Sequence, residues 1–275
     1  MKKQLAIEFR RLLKSPTLYI AIFIGLCIAI SQVVQVTLPL AKANDPDIYI
    51  ENGDIPHSVF TCMMSMGRGF LSWHANMLIN LAPVLVALPF GVSFYMDRRT
   101  GYIKQLFVRE KKESYLWAKY IMTFVSGGFV LALPVLVNFL GNWMLVPLIE
   151  PIEGTHLFVQ VPEYLEYMYY DAPVLYILCV CFIQFVMGGL MATLCLGAAY
   201  LVDVIFLVQL FPVIFVYLYN MCAGSLDFLK LRMIGDYLNI EIDAYMSALD
   251  FVKIFLVMGV FSVIYFYNGY KEETL

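Results

Sequence analysis

Charge is scarce in this sequence. Asp, Glu, Lys and Arg make up 14% of its 275 residues, where a soluble domain carries about a quarter. Hydrophobic residues supply 61% and the mean hydropathy is positive. This composition sets aside a soluble globular domain and points to a polytopic membrane protein. Catalytic signatures are missing as well. No glycine loop ends in Lys-Ser or Lys-Thr, so the chain does not itself bind ATP in the P-loop manner. No His-Glu-x-x-His pair and no Gly-x-Ser-x-Gly elbow occurs. The three histidines, His57, His74 and His156, are far apart in sequence and do not make a metal site. Paired acids within apolar runs, the mark of a proton-coupled carrier, are missing too: Asp97 and Asp203 sit at the ends of such runs. No catalytic residue and no metal ligand is therefore assigned.

Cysteine usage is equally bland. Cys27, Cys179, Cys181 and Cys195 lie in apolar runs and read as small core hydrophobes. Cys179 and Cys181 are two apart, about 200° around a helix, which suits neither a metal nor a redox pair. Cys62 and Cys222 fall in segments expected outside the cell, where a disulfide stays open.

What is present is a series of long apolar runs. Six of them, at about 17–38, 75–96, 117–140, 174–199, 204–222 and 251–268, have the length needed to cross a ~30 Å hydrocarbon core. Backbone polar groups must be satisfied internally in lipid, so the expected fold is an all-α membrane domain spanning 1–275, with six transmembrane helices. Residues 1–14 read as an interfacial helix rather than a cleavable signal. Leu5, Phe9, Leu12 and Leu13 recur at helical spacing, and Lys2, Lys3, Arg10, Arg11 and Lys14 supply cations for headgroups. Ser15 is placed to cap the next helix, with Pro16 in its first turn.

The charge distribution sets the expected orientation. With the N-terminus inside, thirteen cations face the cytosol, against five outside: Lys42, Arg68, Lys230, Arg232 and Lys253. Acidic residues such as Asp45, Asp47, Glu51, Asp54, Glu150 and Glu153 gather outside. This positive-inside bias predicts cytosolic termini and a place in the cell membrane. The outer stretch 59–74 reads as a helix or an extension of the second span. Tyr164, Tyr167, Tyr169 and Tyr170 suit an interfacial belt, and 224–250 reads as helix dipping into or lying on the outer leaflet.

The most basic stretch is Asp97–Lys119, with seven of the eighteen Lys and Arg residues. Inside it Tyr102, Ile103, Leu106 and Phe107 form one helical face, while Lys104, Gln105 and Arg109 fall elsewhere on the wheel. Within the apolar runs the polar groups are neutral. Gln32, Gln35, Asn80, Asn138, Gln184 and Gln209 read first as interhelical hydrogen-bond glue and second as a polar substrate path. Pro83, Pro89, Pro134 and Pro212 are expected to kink their spans. Gly127-Gly128, Gly188-Gly189 and Gly197 permit close helix approach.

A basic amphipathic N-terminal helix, six spans and an amphipathic helix between spans two and three resemble the ABC-2 type permease family. In that family an acid, a basic pair, a Gly and a Leu-bearing helical run follow the second span, and a Lys opens the third. Asp97, Arg98-Arg99, Gly101, Leu106 and Lys119 stand in that order. Tyr102 stands where a small hydroxyl residue is common, and no Pro occurs between Val108 and Ser114. The resemblance implies a permease subunit rather than an enzyme. It implies pairing with a second permease subunit, alike or different, and docking on a separate ATPase subunit that holds ATP and Mg. Arg98, Arg99, Gly101, Tyr102, Ile103, Leu106, Phe107 and Arg109 would then form a coupling helix seated in the ATPase. The cargo would be a hydrophobic or amphipathic peptide, drug or lipid, and no nucleic-acid partner is expected. An ATP-independent six-span carrier or channel stays open as the alternative.

Overall fold

The computed structural model describes residues 1–43, 58–64, 73–150, 163–225, 230–239 and 247–271. The expectations for Asp45, Asp47, Glu51, Asp54, His57, Arg68, Glu153 and His156 lie outside the described residues. Among those described, every regular element is a helix.

Helix α1 (Lys2–Leu13) breaks at Lys14 and Ser15 before α2 (Pro16–Gln32). Ser15 occupies the cap position without capping: its hydroxyl pairs with Thr17 Oγ1 at 2.6 Å and donates to the Pro89 carbonyl at 3.4 Å. Helix α2 widens into a π turn at Val33–Thr37 and resumes as α3 (Leu38–Ala43). Pro39 has no N–H to return to the carbonyl four residues back, and the wider turn accommodates that loss. A single helical turn, α4 (Val59–Cys62), is anchored by the Val59 N–H donating to Pro147 O at 3.2 Å. Phe60, Met63 and Met64 beside it are buried in the bundle.

Among the described residues, five stretches are long and apolar enough to cross a membrane: Pro16–Lys42, Lys112–Trp143, Pro173–Leu201, Ile205–Ser225 and Ala248–Lys271. The last four are labelled α8, α10, α11 and α13. The second expected span, 75–96, departs from this pattern. Its helix α5 (Trp73–Ala87) has fifteen residues, about 22 Å, and falls short of a ~30 Å core. A turn over residues 88–92 follows, and α6 (Ser93–Arg99) resumes the path. Pro89 is the physical reason, since it cannot continue the hydrogen-bond ladder. Its carbonyl instead accepts from Ser15 and Thr17 at the start of α2.

The tightest seam in the bundle joins α8 to α10. A Cβ added at Gly127 would lie 2.6 Å from Gly188 O, and one added at Gly188 would lie 2.6 Å from Gly127 O. The rings of Phe124 and Phe185 flank this crossing edge to face, with centroids 5.9 Å apart. Helices α2, α5 and α13 surround the pair, and large apolar side chains such as Phe23, Phe182, Leu256 and Val263 point outward. The apolar helices with an apolar exterior fit a multi-pass membrane protein.

One peripheral expectation needs correction. Helix α9 (Glu163–Asp171) exposes Tyr167, yet Tyr169 is buried against Tyr170 and Tyr176, both at 5.3 Å, instead of joining an interfacial belt. The side chain of Tyr164 lies outside the described residues. Within the stretch 224–250, helix α12 (Ile234–Leu238) buries Ile234, Tyr237 and Leu238, and Gln184 donates to Leu238 O at 2.8 Å.

Candidate functional site

Helices α1, α6 and α7 (Tyr102–Arg109) gather at one end of the bundle with the start of α8. Gly101 precedes α7 with φ 74, a left-handed conformation that costs glycine nothing. At its other end Glu110 adopts extended backbone (φ −136, ψ 157), followed by extended Lys111. Two extended residues thus end the helix in a chain that has no proline there.

Sequence periodicity correctly makes α7 amphipathic, but its apolar face is turned inward. Ile103 is 3% exposed and packs in a cluster with Phe94, Tyr95, Tyr115, Leu116 and Tyr265. Tyr102, Leu106 and Phe107 are partly buried against the same cluster, and the Phe107 ring meets Tyr115 edge-on at 6.0 Å. These four residues, expected to seat in a partner, anchor α7 to its own chain. An eight-residue helix has little stability alone and needs such packing to hold its place. The outer face is Lys104, Gln105 and Val108, the last 81% exposed. The side chain of Arg109 lies outside the described residues.

Beneath α7 lies a buried ion cluster. Arg11 from α1 donates to both Asp97 oxygens at 2.6 and 3.0 Å and to Glu8 Oε1 at 2.9 Å. Lys119 from α8 donates to Asp97 Oδ2 at 2.6 Å and to Glu8 Oε2 at 2.9 Å. The Tyr115 hydroxyl adds a bond to Asp97 Oδ2 at 2.8 Å. Lys119 and Glu8 have no exposed side-chain surface, and Asp97 has 5%. Two cations against two carboxylates leave the cluster neutral, the condition under which buried charge is tolerable. Lys119 also lies over the Phe90 ring at 4.6 Å, and Arg11 over Tyr102 at 5.4 Å. The cluster therefore ties α1, α6 and α8 into one unit, and α7 joins it through the Tyr102 ring.

This arrangement changes the roles assigned along α1. Its buried face is Gln4, Glu8 and Leu12, of which only Leu12 belongs to the apolar stripe. Phe9 and Leu13 are exposed, Leu5 is partly buried, and Arg10 and Lys14 point outward. Arg11 serves the ion cluster instead of headgroups. Glu8 escaped sequence reasoning altogether. Its signal was an acid set three residues before Arg11 in an otherwise cationic helix.

Burial pushes the Asp97 carboxyl upward, but hydrogen bonding from Arg11 and the charge of Lys119 outweigh it, holding Asp97 below its ordinary 3.8. The hydrogen bond to Asp97 in turn holds Arg11 above its usual range. A depressed carboxyl stabilises the fold above its unfolded value and loses that contribution as pH falls through its folded value. Thermal unfolding in detergent is accordingly expected to be flat from about pH 7 to 5 and to fall steeply below about pH 4. Arg11→Gln should flatten that acid limb; an unchanged limb would remove Asp97 as its source.

Arg98 donates to Ala199 O at 3.0 Å and lies over Tyr200 at 4.6 Å, joining α6 to α10. With exposed Arg99, Tyr95 and Asp203 it lines a cavity of about 300 Å³.

The neutral polar residues divide sharply. Gln32 donates to Cys62 O at 2.7 Å, and Asn138 donates to Gln32 Oε1 at 2.6 Å and to Ala29 O at 3.1 Å. Asn138 Oδ1 accepts from the Met64 N–H at 2.9 Å, and Thr37 donates to Asn142. Gln32 and Asn138 are thus committed to interhelical bonds, as is Gln184. Gln35 pairs with His74 Nε2 at 3.2 Å. Gln209 is half-buried on α11. Asn80 is exposed and opens onto a cavity of about 200 Å³ between α5, α11 and α12, with Asn76, Pro83, Tyr217, Asn220 and Asp236.

Among the described residues, no group of three or more His, Cys, Asp or Glu stands together as a metal site. Cys62 is a buried free thiol and Cys222 an exposed one, so they do not pair. No family model, curated protein or solved structure matches the chain. Its activity must therefore be read from its own geometry.

Proposed function

We propose that the chain is the membrane-spanning permease subunit of an ATP-driven exporter of the ABC-2 kind. It would pair with a second permease subunit and dock on a separate ATPase that binds ATP and Mg. The basic end would face the cytosol of the cell membrane, and the cargo would be a hydrophobic or amphipathic peptide, drug or lipid. The observation that carries this reading is the anchoring of α7. A short helix with a largely polar outer face is fastened by its apolar face to the start of α8 and by the Arg11–Tyr102 contact to α1 and the ion cluster beneath it. A push on such a helix moves membrane helices instead of bending a loop.

The partner would meet Lys104, Gln105, Val108 and exposed Lys111, of which the two lysines suit an acidic rim. Val108→Asp changes an exposed site and should shift stability by no more than about 0.5 kcal/mol. Co-purified ATPase and ATP-dependent transport are both expected to fall at least about tenfold, the loss that a 1.4 kcal/mol contact produces. Survival of both would sink the coupling role of α7. The cavity lined by Asn76, Asn80, Asn220 and Asp236 favours the second reading, an ATP-independent carrier. Transport by the isolated chain in liposomes without ATP would establish that alternative.

A further inference from the structure

The turn between α5 and α6 holds a polar atom that its surroundings do not satisfy. Ser93 Oγ is buried and has no hydrogen-bond partner among the described residues, a condition rare enough in a folded chain to need a reason. The Ser93 N–H donates to Phe90 O at 3.1 Å, three residues back, and not to Pro89 O, the acceptor that an α-helix would supply. A serine within a helix can turn its hydroxyl to that same carbonyl, four residues back. Both donors of Ser93 would therefore be served by one acceptor, and another element occupies it. Pro89 O accepts from the hydroxyls at the start of α2, Ser15 at 3.4 Å and Thr17 at 3.3 Å. Those two hydroxyls also pair with each other at 2.6 Å. Each carries a single hydrogen, so only one of them donates to Pro89 at a time. At 3.3–3.4 Å that bond is longer than the about 2.5–3.0 Å of a good hydroxyl bond.

We infer that residues 88–92 form a joint with two settings, in which the Pro89 carbonyl passes between the α2 hydroxyls and Ser93. In the setting described above, α2 holds the carbonyl and the helix is broken. In the other, the Ser93 N–H and hydroxyl both donate to Pro89 O, whose two lone pairs accept them. Helices α5 and α6 then run on as one proline-kinked helix, while Ser15 and Thr17, each half-buried, keep each other. The exchange gives up one long hydroxyl bond and gains one for a buried hydroxyl. The settings thus differ by about one hydrogen bond, or at most about tenfold in population. The joint also touches what it would move. The Phe90 ring lies against the Lys119 ammonium at 4.6 Å, and a Cβ added at Gly91 would lie 2.8 Å from Cys195 Sγ on α10. With such a joint, α6 swings with α1 and the start of α8, to which the ion cluster ties it, without dragging α5. The joint belongs to the chain alone, so its failure would leave the permease reading standing.

Double electron–electron resonance on the full chain in detergent reads the two settings. Spin labels carried by ketone-bearing residues replace exposed Met77 on α5 and exposed Met96 on α6, which leaves the native cysteines alone. The otherwise unaltered chain is expected to give two distances. Ser93→Ala should lower the ratio of the minor to the major population about fivefold, the worth of one hydrogen bond. Ser15→Ala with Thr17→Val should raise the same ratio about fivefold. Ser31→Ala removes a hydroxyl that donates locally to Ile28 O at 2.9 Å, and it should change neither population. A merely structural role for these hydroxyls would not move the ratio in opposite directions. A single distance in every variant, or shifts of one sign, overturns the inference. Should the Ser15 and Thr17 variant unfold, Ser93→Ala alone must still lower the ratio, and an unchanged ratio there overturns it equally.

Discussion

Lys119→Met is expected to destabilise the chain by about 3–5 kcal/mol, the cost of leaving buried charge without its partner. The ammonium is fully buried and contacts both carboxylates of the cluster. Without it, Glu8 and Asp97 share the half-exposed Arg11 alone, and an excess negative charge sits on two buried carboxylates. Met matches the volume of the lysine stem, so lost packing contributes little. Adding Glu8→Gln restores neutrality, since Arg11 then balances Asp97. The double variant should therefore recover at least about 1 kcal/mol over Lys119→Met, a coupling of the size seen for residues in one ionic network. Unfolding in detergent measures both. A loss below about 1 kcal/mol for Lys119→Met, the scale of a surface pair, would contradict the burial of the cluster.

Gly188→Leu is expected to cost about 3 kcal/mol, at the upper end for overpacking, because the obstructing atoms are backbone. Its Cβ would fall 2.6 Å from Gly127 O and 3.2 Å from that residue's carbonyl carbon. Neither can rotate away, so α8 and α10 must separate and the Phe124–Phe185 contact must open. Gly259 on α13 is the internal control. A Cβ there meets nothing within 4 Å, and leucine is a better helix former than glycine by about 0.8 kcal/mol. Gly259→Leu should leave the unfolding midpoint unchanged or higher. Equal losses at the two positions would mean that the α8–α10 seam is not the close contact described.

The helices were legible because lipid leaves the backbone few choices: the bounds of α8, α10 and α13 lie within a few residues of the apolar runs at 117–140, 174–199 and 251–268. Pro89 was legible as a kink but not as a full break, since the turn depends on the Ser15 and Thr17 hydroxyls that meet its carbonyl. The site was harder to read. Periodicity gives α7 an apolar face but does not say whether chain or partner covers it. The ion cluster joins residues 86 and 111 positions apart, a separation at which local pattern carries no information. Arg11 read as a headgroup cation because nothing near it in sequence, apart from Glu8, called for a buried pair.

The most direct test of the proposed coupling counts substrate moved per ATP hydrolysed in proteoliposomes holding the chain and the ATPase proposed to pair with it. Asp97→Asn keeps the shape of the side chain but removes the charge that Arg11, Lys119 and Tyr115 converge on, and it leaves the outer face of α7 untouched. The ATPase should still assemble and turn over, while transport per ATP falls at least about tenfold, the effect of losing about 1.4 kcal/mol of coupling. Unchanged transport per ATP in the folded variant would contradict the claim that the cluster carries force from α7 into the membrane helices.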